Sequence, residues 1–381
     1  MFQHAVPARV GLLGNPSDGY GGRTLALAVP HFEATVTVEP SDGVKIVPNV
    51  DDIPRWPSVR AMGDHLDRFG YGNGPQLLAA TARTFVDLAD SIGQPVDSGF
   101  TLSYETTIPR QVGLAGSSAL VISALKGLNE LFNINVPSHI LPSVALAVET
   151  SQLGLSAGLQ DRVVQTYGGL MCMDFGPMTT DSRFGVRHGV YEQLDPSKLP
   201  LLFLAYRSSA AEPSDTYHQR LRTRYNAGEG EVRMVLGELA GLALEGRAAV
   251  RWNDHDLLAK LIGRNMALRQ SLGPIPDHQL ELVEIAESAG TTATFAGSGG
   301  AVVGVIKERS QIDSLTRRYG LADAQMVLLN DTQVLDDSSS PAPTATADND
   351  EHPSHDANDD DDSDDNEGAT VFAFELRRDQ T

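Results

Sequence analysis

A predicted strand, a glycine-rich loop and a predicted helix follow one another without a break between residues 100 and 132. The alternating segment FTLSY at 100–104 is typical of a strand, and the apolar stripe along 117–132 predicts a helix. Between them lies PRQVGLAGSSAL, residues 109–120. Glycine lets the backbone approach an anion closely and the helix N-terminus adds partial positive charge, so this unit predicts a phosphate-binding loop. Taken alone, the same residues also fit an ordinary turn before a capped helix.

Strands and helices alternate along the rest of residues 1–335. Further strands are predicted at 9–13, 32–38 and 301–306, and further helices at 138–152, 231–249 and 276–289. This mixture indicates an α+β (mixed α/β) fold, and 381 residues suffice for two domains. A new apolar strand, LPLLFLAY, begins near residue 199 after a polar stretch. We therefore expect one domain over 1–190 and a second over 191–335.

The acidic charge of the chain is concentrated near its end. The net charge is −21, but residues 336–367 hold 13 acidic residues and no Lys or Arg, which leaves −8 for all other residues. Residues 336–370 are rich in Asp, Ser, Pro and Ala and are predicted to be a disordered tail, while 371–381 fit either a docked terminal strand or a short exposed tail. This charge balance disfavours generalised binding to nucleic acid, which needs a basic face.

The sequence also favours a cytoplasmic protein. It contains one cysteine, Cys172, so no intramolecular disulfide can form. The N-terminal segment has neither the basic nor the apolar region of a secretory signal, and no run of about 18 apolar residues predicts a membrane span. We expect no membrane partner, and the sequence leaves the oligomeric state open.

Two carboxylates in the segment ETSQLGLSAGLQDR, residues 149–162, are candidates for catalysis. Glu149 would hold Mg²⁺ while Asp161 accepts a proton from a substrate hydroxyl. Both carboxylates also fit solvated or capping positions. The same segment contains a G-x-S-x-G pattern centred on Ser156, which would predict a hydrolase. That pattern needs a preceding strand, whereas the residues before it are predicted to be helical.

Two other segments carry polar or glycine-rich loops. TFAGSGGAVVGV, residues 294–305, precedes a buried strand and suits close packing against a nucleotide or against the first loop. PARVGLLGNPSDGYGGRT, residues 7–24, bears polar side chains that suit sugar hydroxyls, although Asn, Asp, Gly and Pro also favour plain turns. The arginines at 220, 222 and 224 are predicted to form a solvated helix face.

In this order the four segments resemble the GHMP small-molecule kinases, named for galactokinase, homoserine kinase, mevalonate kinase and phosphomevalonate kinase. Residues 109–119 are similar to the phosphate loop P-x-x-x-G-L-x-S-S-A, with Ala115 and Gly116 as an insertion before the two serines. Residues 294–300 are similar to the third, glycine-rich motif. The separation of Glu149 from Asp161 also fits the metal carboxylate and the catalytic aspartate of the family.

The N-terminal segment supports the same resemblance. Residues 7–22 align without a gap to the galactokinase motif P-G-R-V-N-L-I-G-E-H-T-D-Y-N-G-G, with Asn15-Pro16 in place of Glu-His. The positions kept are Arg9, Gly14, Asp18, Gly21 and Gly22. Within the family, the segments of this chain are most similar to the plant-type glucuronokinases, over most of residues 7–307.

The resemblance implies a two-domain fold and a reaction. The N-terminal domain would be of the ribosomal-protein-S5-like type and the C-terminal domain ferredoxin-like, with the active site between them. The reaction would be phosphoryl transfer from ATP, with Mg²⁺, to the anomeric hydroxyl of D-glucuronate, which gives the 1-phosphate and ADP. Catalysis would consist mainly of positioning and charge stabilisation.

The resemblance also assigns residues to roles. Asp161 would accept or orient the hydroxyl proton, and Arg9 would lie near the transferring phosphoryl group. Ser118 and Glu149 would bind the metal. The residues that would bind the nucleotide are Arg110, Gln111, Val112, Gly113, Leu114, Ala115, Gly116, Ser117, Ser118, Ala119, Gly297, Ser298 and Gly299. The residues that would bind the sugar acid are Asn15, Ser17, Asp18, Arg23 and Arg162, with the two arginines as candidates for its carboxylate.

Two alternatives remain open within this family. The acceptor could be another sugar, such as galactose, arabinose or a heptose phosphate, although Asn15-Pro16 argues against an ordinary galactokinase. The chain could also be a non-catalytic ligand sensor on the same fold. A sensor would be expected to lose the two carboxylates, and both are present.

Overall fold

The computed structural model describes residues 1–49, 74–207 and 214–331, with side chains described from residue 219 onward in the last range. The predicted acidic tail at 336–370 and the predicted terminal strand at 371–381 lie outside the described residues. In the described ranges, we find no helix that is both long enough and apolar enough to cross a membrane.

The first part of the chain folds around one sheet. Its strands are β1 (Phe2–Leu13), β2 (Arg23–Ser41), β3 (Lys45–Ile46), β4 (Gly99–Thr106), β5 (Leu170–Thr180) and β6 (Arg187–Leu194). The strand order is β3-β4-β2-β5-β6, and β1 pairs with the other edge of β2. β2 alternates buried Ala34, Val36 and Val38 with more exposed residues, which is the pattern of a strand with one face on the core. Its length lets β4 and β5 pair with its two halves.

Helices cover one side of this sheet. They are α1 (Gly74–Ser91), α2 (Gly116–Phe132), α3 (Leu141–Ala147) and α4 (Gln160–Tyr167). α2 packs on β1 and β2. A Cβ atom at Gly127 would lie 2.5 Å from Cγ2 of Val38, so glycine is required for α2 to lie this close to β2. This packing fixes the N-terminus of α2, and with it the glycine-rich loop, relative to β1.

The second part of the chain folds around a smaller antiparallel sheet. Its strands are β7 (Leu202–Tyr206), β8 (Ala293–Phe295), β9 (Ala301–Val305) and β10 (Gln325–Leu328). Its helices are α5 (Ser214–Asn226), α6 (Gly230–Arg251), α7 (His255–Ser271), α8 (Asp277–Ser288) and α9 (Gln311–Leu321). The strand order β10-β7-β9-β8 is that of a ferredoxin-like sheet. The chain leaves the first sheet at the end of β6, so the division predicted at 190/191 falls inside that strand.

The two parts meet around β1. A Cβ atom at Gly246 of α6 would lie 2.1 Å from Cδ1 of Leu13, so this helix lies directly on the first sheet. The backbone N–H of Gly11 donates to the carbonyl of Ala296 (2.7 Å), just after β8. The backbone N–H of Gly14 donates to Oδ1 of Asn265 in α7 (2.9 Å). These contacts bring loops from both parts to one place.

The helix predicted at 138–152 is interrupted. α3 begins at Leu141, and Pro142 lies in its first turn, where the missing N–H of proline removes no helical hydrogen bond. After Ala147 the chain passes into one wider π-helical turn, Val148–Gln152. Such turns often occur at functional sites. Here the turn leaves Glu149 buried.

Candidate functional site

Arg9 lies in the N-terminal segment and contacts the other three of the four segments singled out from the sequence. Its side chain is only 4% exposed, and Nη2 lies 2.5 Å from Oδ1 of Asp161 at the start of α4. Nη1 donates to the carbonyls of Gly113 (3.4 Å) and Ala296. The backbone N–H of Arg9 donates to the carbonyl of Leu114 (3.2 Å). The predicted catalytic pair therefore lies between the phosphate loop and the third glycine-rich loop.

The phosphate loop ends in a helix N-terminus with open donors. Gln111, Gly113 and Ala115 all have positive φ values, of 60°, 78° and 64°, and α2 begins at Gly116 without a capping side chain. The first backbone N–H groups of a helix have no carbonyl partner within it, so they are placed to receive an anion. Oγ of Ser118 donates to the carbonyl of Ala115 (3.2 Å), which leaves its lone pairs for another partner.

The residues of this loop divide into two groups. Arg110, Gln111 and Ser117 are exposed. Val112, Leu114 and Ala119 are buried in the core. Their side chains anchor the loop, so the predicted nucleotide contact of these three positions can come only from their backbone groups.

The third glycine-rich loop packs against the phosphate loop backbone to backbone. A Cβ atom at Gly297 would lie 2.1 Å from the carbonyl oxygen of Gly113, and a Cβ atom at Gly113 would lie 2.7 Å from that of Gly299. Nδ2 of Asn15 also donates to the carbonyl of Gly297 (3.2 Å). Of the two uses expected for this loop, support of the phosphate loop is the one the packing provides. Nucleotide contact by Gly297, Ser298 and Gly299 stays a prediction.

Asp18 is a buried carboxylate beside the catalytic pair. It lies in the short 3₁₀ turn Ser17–Tyr20, and its side chain accepts hydrogen bonds from the backbone N–H of Gln160 (3.1 Å) and from Nε2 of Gln160 (3.4 Å). Burial raises the pKa of Asp18 above its usual range, and the charge of Asp161 raises it further. The Gln160 N–H, Arg9 and Arg162 oppose that rise in the pKa. The site thus holds a second carboxylate, that of Asp18, whose affinity for a proton is raised.

Arg162 and Glu149 form an ion pair inside the protein. Both side chains are buried, and the guanidinium also donates to the carbonyl of Gly158. Burial lowers the pKa of Arg162 to about 9. The sequence assigned Arg162 to a substrate carboxylate and Glu149 to a metal, whereas the structure pairs them with each other. Arg162 is therefore already engaged by an internal carboxylate.

The two predicted metal ligands, Ser118 and Glu149, are oxygen donors suited in type to a magnesium ion that arrives with a nucleotide. In the described part of the chain, we find no group of three or more His, Cys, Asp or Glu side chains placed to hold a metal ion. Ser118 and Glu149 offer one hydroxyl and one carboxylate, which are oxygen ligands of the kind Mg²⁺ takes. Mg²⁺ commonly keeps water and substrate phosphate oxygens as its other ligands, so one or two protein oxygens suffice.

Three other residues predicted to contact the sugar have hydrogen-bond partners within the protein. Oγ of Ser17 donates to the carbonyl of Arg23 (2.9 Å), and Ser17 is buried. The amide of Asn15 is engaged by the third glycine-rich loop, as described above. Nε of Arg23 donates to Oδ2 of Asp174 (2.6 Å), and the Arg23 side chain is 43% exposed. A sugar contact by these three residues stays a prediction, while their role in shaping the loop is visible.

Gln165 is a site residue that the sequence did not single out. Its Nε2 donates to the carbonyl of Ala115 (2.7 Å) and to that of Pro7 (3.4 Å), so it ties α4 to the phosphate loop and to β1. Nζ of Lys126 donates to the backbone carbonyl of Gln165 (3.3 Å), which joins α2 to α4. Gln165 lies four residues after Asp161 and thus on the same helix face. The four-residue spacing from Asp161 is the sequence feature that could have identified Gln165 as a site residue.

A cleft opens beside Asp18. It is lined by Pro16, Asp18, Gly19, Tyr20, Ser156, Ala157, Gly158 and Arg222. The arginine comes from α5, and its Cζ lies 4.4 Å from the centre of the Tyr20 ring. The expectation of a solvated helix face is therefore wrong for Arg222, because the tyrosine covers one side of its guanidinium. Ser156 follows a π-helical turn and a loop rather than a strand, so the geometry of a hydrolase nucleophile is absent from this described segment.

Replacing Asp18 with asparagine is expected to stabilise the fold at pH 8, with a rise in Tm of about 2–4 °C. The pKa of Asp18 is higher in the folded than in the unfolded state, so the folded state holds the proton more strongly. The free energy of unfolding therefore falls as the pH rises and the carboxyl loses that proton. The asparagine oxygen can keep the bond from the Gln160 backbone N–H, and its NH₂ group can donate to Oε1 of Gln160 once the Gln160 side-chain amide turns over.

Thermal unfolding at several pH values tests this expectation. The gain in Tm should shrink as the pH falls toward the usual pKa range of a carboxyl group. The KM for the sugar substrate should rise, because its hydroxyls lose a charged hydrogen-bond partner. Asp42→Asn, at an exposed position, is the control and should leave Tm unchanged. A lower Tm for Asp18→Asn at pH 8 would contradict the argument.

Comparison with known proteins places this geometry in context. Residues 76–169 match the family model of the GHMP kinases N terminal domain, and residues 246–321 match that of the GHMP kinases C terminal region. The chain is 40% identical over 316 residues to "Probable glucuronokinase 2" of Arabidopsis thaliana, which covers 80% of this chain and 84% of that protein. It is 39% identical over 314 residues to "Glucuronokinase 1" of the same plant, with 79% and 84% covered.

A solved structure supports the same fold. Phosphomevalonate kinase of Streptococcus pneumoniae, solved in complex with phosphomevalonate and AMPPNP, superposes with a TM-score of 0.67 at 16% identity. The superposition covers 86% of this chain and 100% of that one. The expected two-domain α+β fold is thereby confirmed.

Proposed function

Since the chain belongs to the GHMP kinases, it is a phosphotransferase that acts on an alcohol group, and we propose that its reaction is ATP-dependent phosphorylation of the anomeric hydroxyl of D-glucuronate. The products would be D-glucuronate 1-phosphate and ADP. Support for the acceptor comes from the two plant relatives, which are named glucuronokinases and match about four-fifths of this chain.

The observation that carries the proposal is the position of the Arg9–Asp161 pair. The Asp161 carboxylate lies 2.5 Å from Arg9, whose other contacts reach the carbonyls of both glycine-rich loops. Asp18 lies near this pair and offers a hydrogen-bond acceptor in the neighbouring cleft. A phosphate donor and a polyhydroxyl acceptor would therefore meet at this pair.

The phosphate loop would hold the nucleotide. Its open backbone N–H groups at the start of α2 would bind phosphate oxygens, and Ser118 and Glu149 would hold Mg²⁺ that enters with ATP. When bound, Mg²⁺ neutralises the negative charge that develops on the phosphate oxygens. Glu149 would share its carboxylate between the metal and Arg162, which keeps the carboxylate fixed in its buried turn.

Asp161 and Arg9 would act on the acceptor. The anomeric oxygen attacks the γ-phosphorus of ATP, the bond from that phosphorus to the β,γ-bridging oxygen breaks, and the hydroxyl proton passes to the Asp161 carboxylate. Arg9 would orient this carboxylate and stabilise charge on the transferring phosphoryl group. Asp18 would accept hydrogen bonds from ring hydroxyls and so fix which hydroxyl faces Asp161.

The test of this proposal is a panel of acceptors assayed for ADP release with ATP and Mg²⁺. The panel contains glucuronate, galacturonate, galactose, arabinose, glucose and mevalonate. We expect glucuronate to have the highest kcat/KM, by about 100-fold over glucose, because a site that pairs with the substrate carboxylate would lose that interaction with an analogue that lacks it. A higher kcat/KM for galactose or arabinose would replace the proposed acceptor with a neutral sugar. A reaction without the acceptor is the control for ATP hydrolysis.

A further inference from the structure

We propose that Arg222 is the residue that recognises the carboxylate of the sugar acid, with the Tyr20 ring as its support. The inference rests on the proposed function, since it explains how that site would select an acid. It replaces the two arginines that the sequence indicated, because Arg162 is engaged by Glu149 and Arg23 by Asp174. Neither of those two lines the cleft.

Arg222 lies in the same cleft as Asp18. The cleft is formed by the N-terminal loop, by residues 156–158 and by α5, and Arg222 supplies its one basic side chain within the described residues. Asp161 follows residues 156–158 by three positions, at the start of α4. A sugar ring held between Asp18 and Arg222 would therefore have its reacting end near Asp161 and its far end near the guanidinium.

The guanidinium of Arg222 has no acidic partner among the described residues. Two residues later on the same helix, Arg224 pairs with Glu229 (2.9 Å) and donates to the carbonyl of Leu272. Arg23 pairs with Asp174, and Arg162 pairs with Glu149. Arg222 thus differs from both in being a cation that lines the cleft and has no acidic partner among the described residues.

Aromatic rings lie against this cation. Cζ of Arg222 lies 4.4 Å from the centre of the Tyr20 ring, whose centre lies 4.6 Å from that of Tyr225. Cζ of Arg233 lies 5.2 Å from the centre of the Tyr225 ring. A guanidinium over a ring keeps its N–H groups at its edge, where they form the two parallel hydrogen bonds that a carboxylate accepts.

Gly19 keeps one edge of the guanidinium accessible. A Cβ atom at Gly19 would lie 3.3 Å from Nη2 of Arg222, so a larger side chain there would crowd the edge that is to meet the ligand. Gly19 follows Asp18 directly, so one short loop bears the Asp18 carboxylate and also lies against the guanidinium of Arg222 from α5.

The charge of the cleft favours a carboxylate over a phosphate group. A single guanidinium balances one negative charge, and the Asp18 carboxylate in the same cleft disfavours a second one. A planar carboxylate also matches the planar donor edge of the arginine. The preferred acceptor is therefore a sugar with one carboxylate rather than a phosphorylated sugar.

The experiment compares D-glucuronate with D-glucuronamide, its neutral analogue of the same shape, in the 381-residue chain. Arg222→Met should lower kcat/KM for glucuronate by about 10- to 100-fold, mainly through KM, because a hydrogen-bonded charge pair is lost. For glucuronamide the same variant should change kcat/KM by less than about threefold, since no charge pair exists to lose. Arg222→Lys keeps the charge but not the planar donor edge. Its kcat/KM for glucuronate should therefore fall between those of the wild type and of Arg222→Met.

Arg220→Met is the matched control, because Arg220 is exposed on the same helix and lies two residues away. Arg220→Met should leave kcat/KM unchanged for both glucuronate and glucuronamide. If the wild type prefers glucuronate and Arg222→Met keeps that preference, the role of Arg222 is wrong and the proposed function stands. If the wild type shows no preference for glucuronate, or prefers glucose 6-phosphate added as a further probe, the proposed acceptor and this inference both fail.

Discussion

Replacing Asp161 with asparagine should lower kcat by about 10²- to 10⁴-fold, which is the range that a positioned general base contributes. The asparagine keeps the shape of the side chain but cannot take up the hydroxyl proton. Arg9 keeps its contacts to the carbonyls of Gly113 and Ala296, so the two glycine-rich loops should stay in place. The KM for ATP should therefore change little. The measurement is steady-state ADP release, with thermal unfolding as a check of the fold.

Asp87→Asn is the matched control for this prediction. Asp87 pairs with Arg83 at 2.8 Å in α1, and its side chain is 20% exposed, close to the 23% of Asp161. The control also loses a carboxylate from an ion pair, yet it lies outside the four segments that form the site. Its kcat should equal that of the wild type. If Asp161→Asn behaved in the same way, Asp161 would not be the proton acceptor.

Replacing Arg162 with methionine should lower the free energy of unfolding by about 3–5 kcal/mol, because it leaves the buried Glu149 carboxylate without its counter-charge. The lowered pKa of Arg162 indicates that burial already opposes its charge. Neutralising both partners, as in Glu149→Gln with Arg162→Met, should therefore recover most of the loss. The measurement is urea unfolding of the wild type, both single variants and the double variant.

The exposed pair of Arg264 with Glu238 provides the comparison. Its atoms are 3.2 Å apart and both side chains are about half exposed. Arg264→Met should cost about 0–1 kcal/mol, as is usual for a surface pair. An equally small effect of Arg162→Met would mean that the buried pair does not hold the turn around Glu149 in place.

The sequence predicted much of the fold because local patterns and packing agree there. The stripe along 117–132 became α2, Gly116–Phe132, and the alternation of Ala34, Val36 and Val38 placed one face of β2 on the core. These elements follow from where apolar side chains occur, which a sequence displays directly. The predicted helix at 138–152 failed in part because the change to a π-helical turn after Ala147 leaves no clear mark in hydrophobic spacing.

The candidate site was predictable where motifs carry it and not where partners come from distant segments. Arg9, Asp18 and Asp161 lie in motifs, and the structure brings them together. The ion pair of Glu149 with Arg162 spans two motifs, so each residue looked available for a ligand. Arg222 has no motif at all, and its place in the cleft depends on how α5 packs against the N-terminal loop.

The most direct test of the central claim is to identify the product. The 381-residue chain is incubated with ATP, Mg²⁺ and D-glucuronate, and the product is examined by proton-coupled phosphorus NMR. The proposed reaction predicts ADP and a sugar phosphate whose phosphorus couples to the anomeric proton, with loss of this product in Asp161→Asn. A phosphate on another hydroxyl of the sugar, or ADP with only inorganic phosphate, would contradict it.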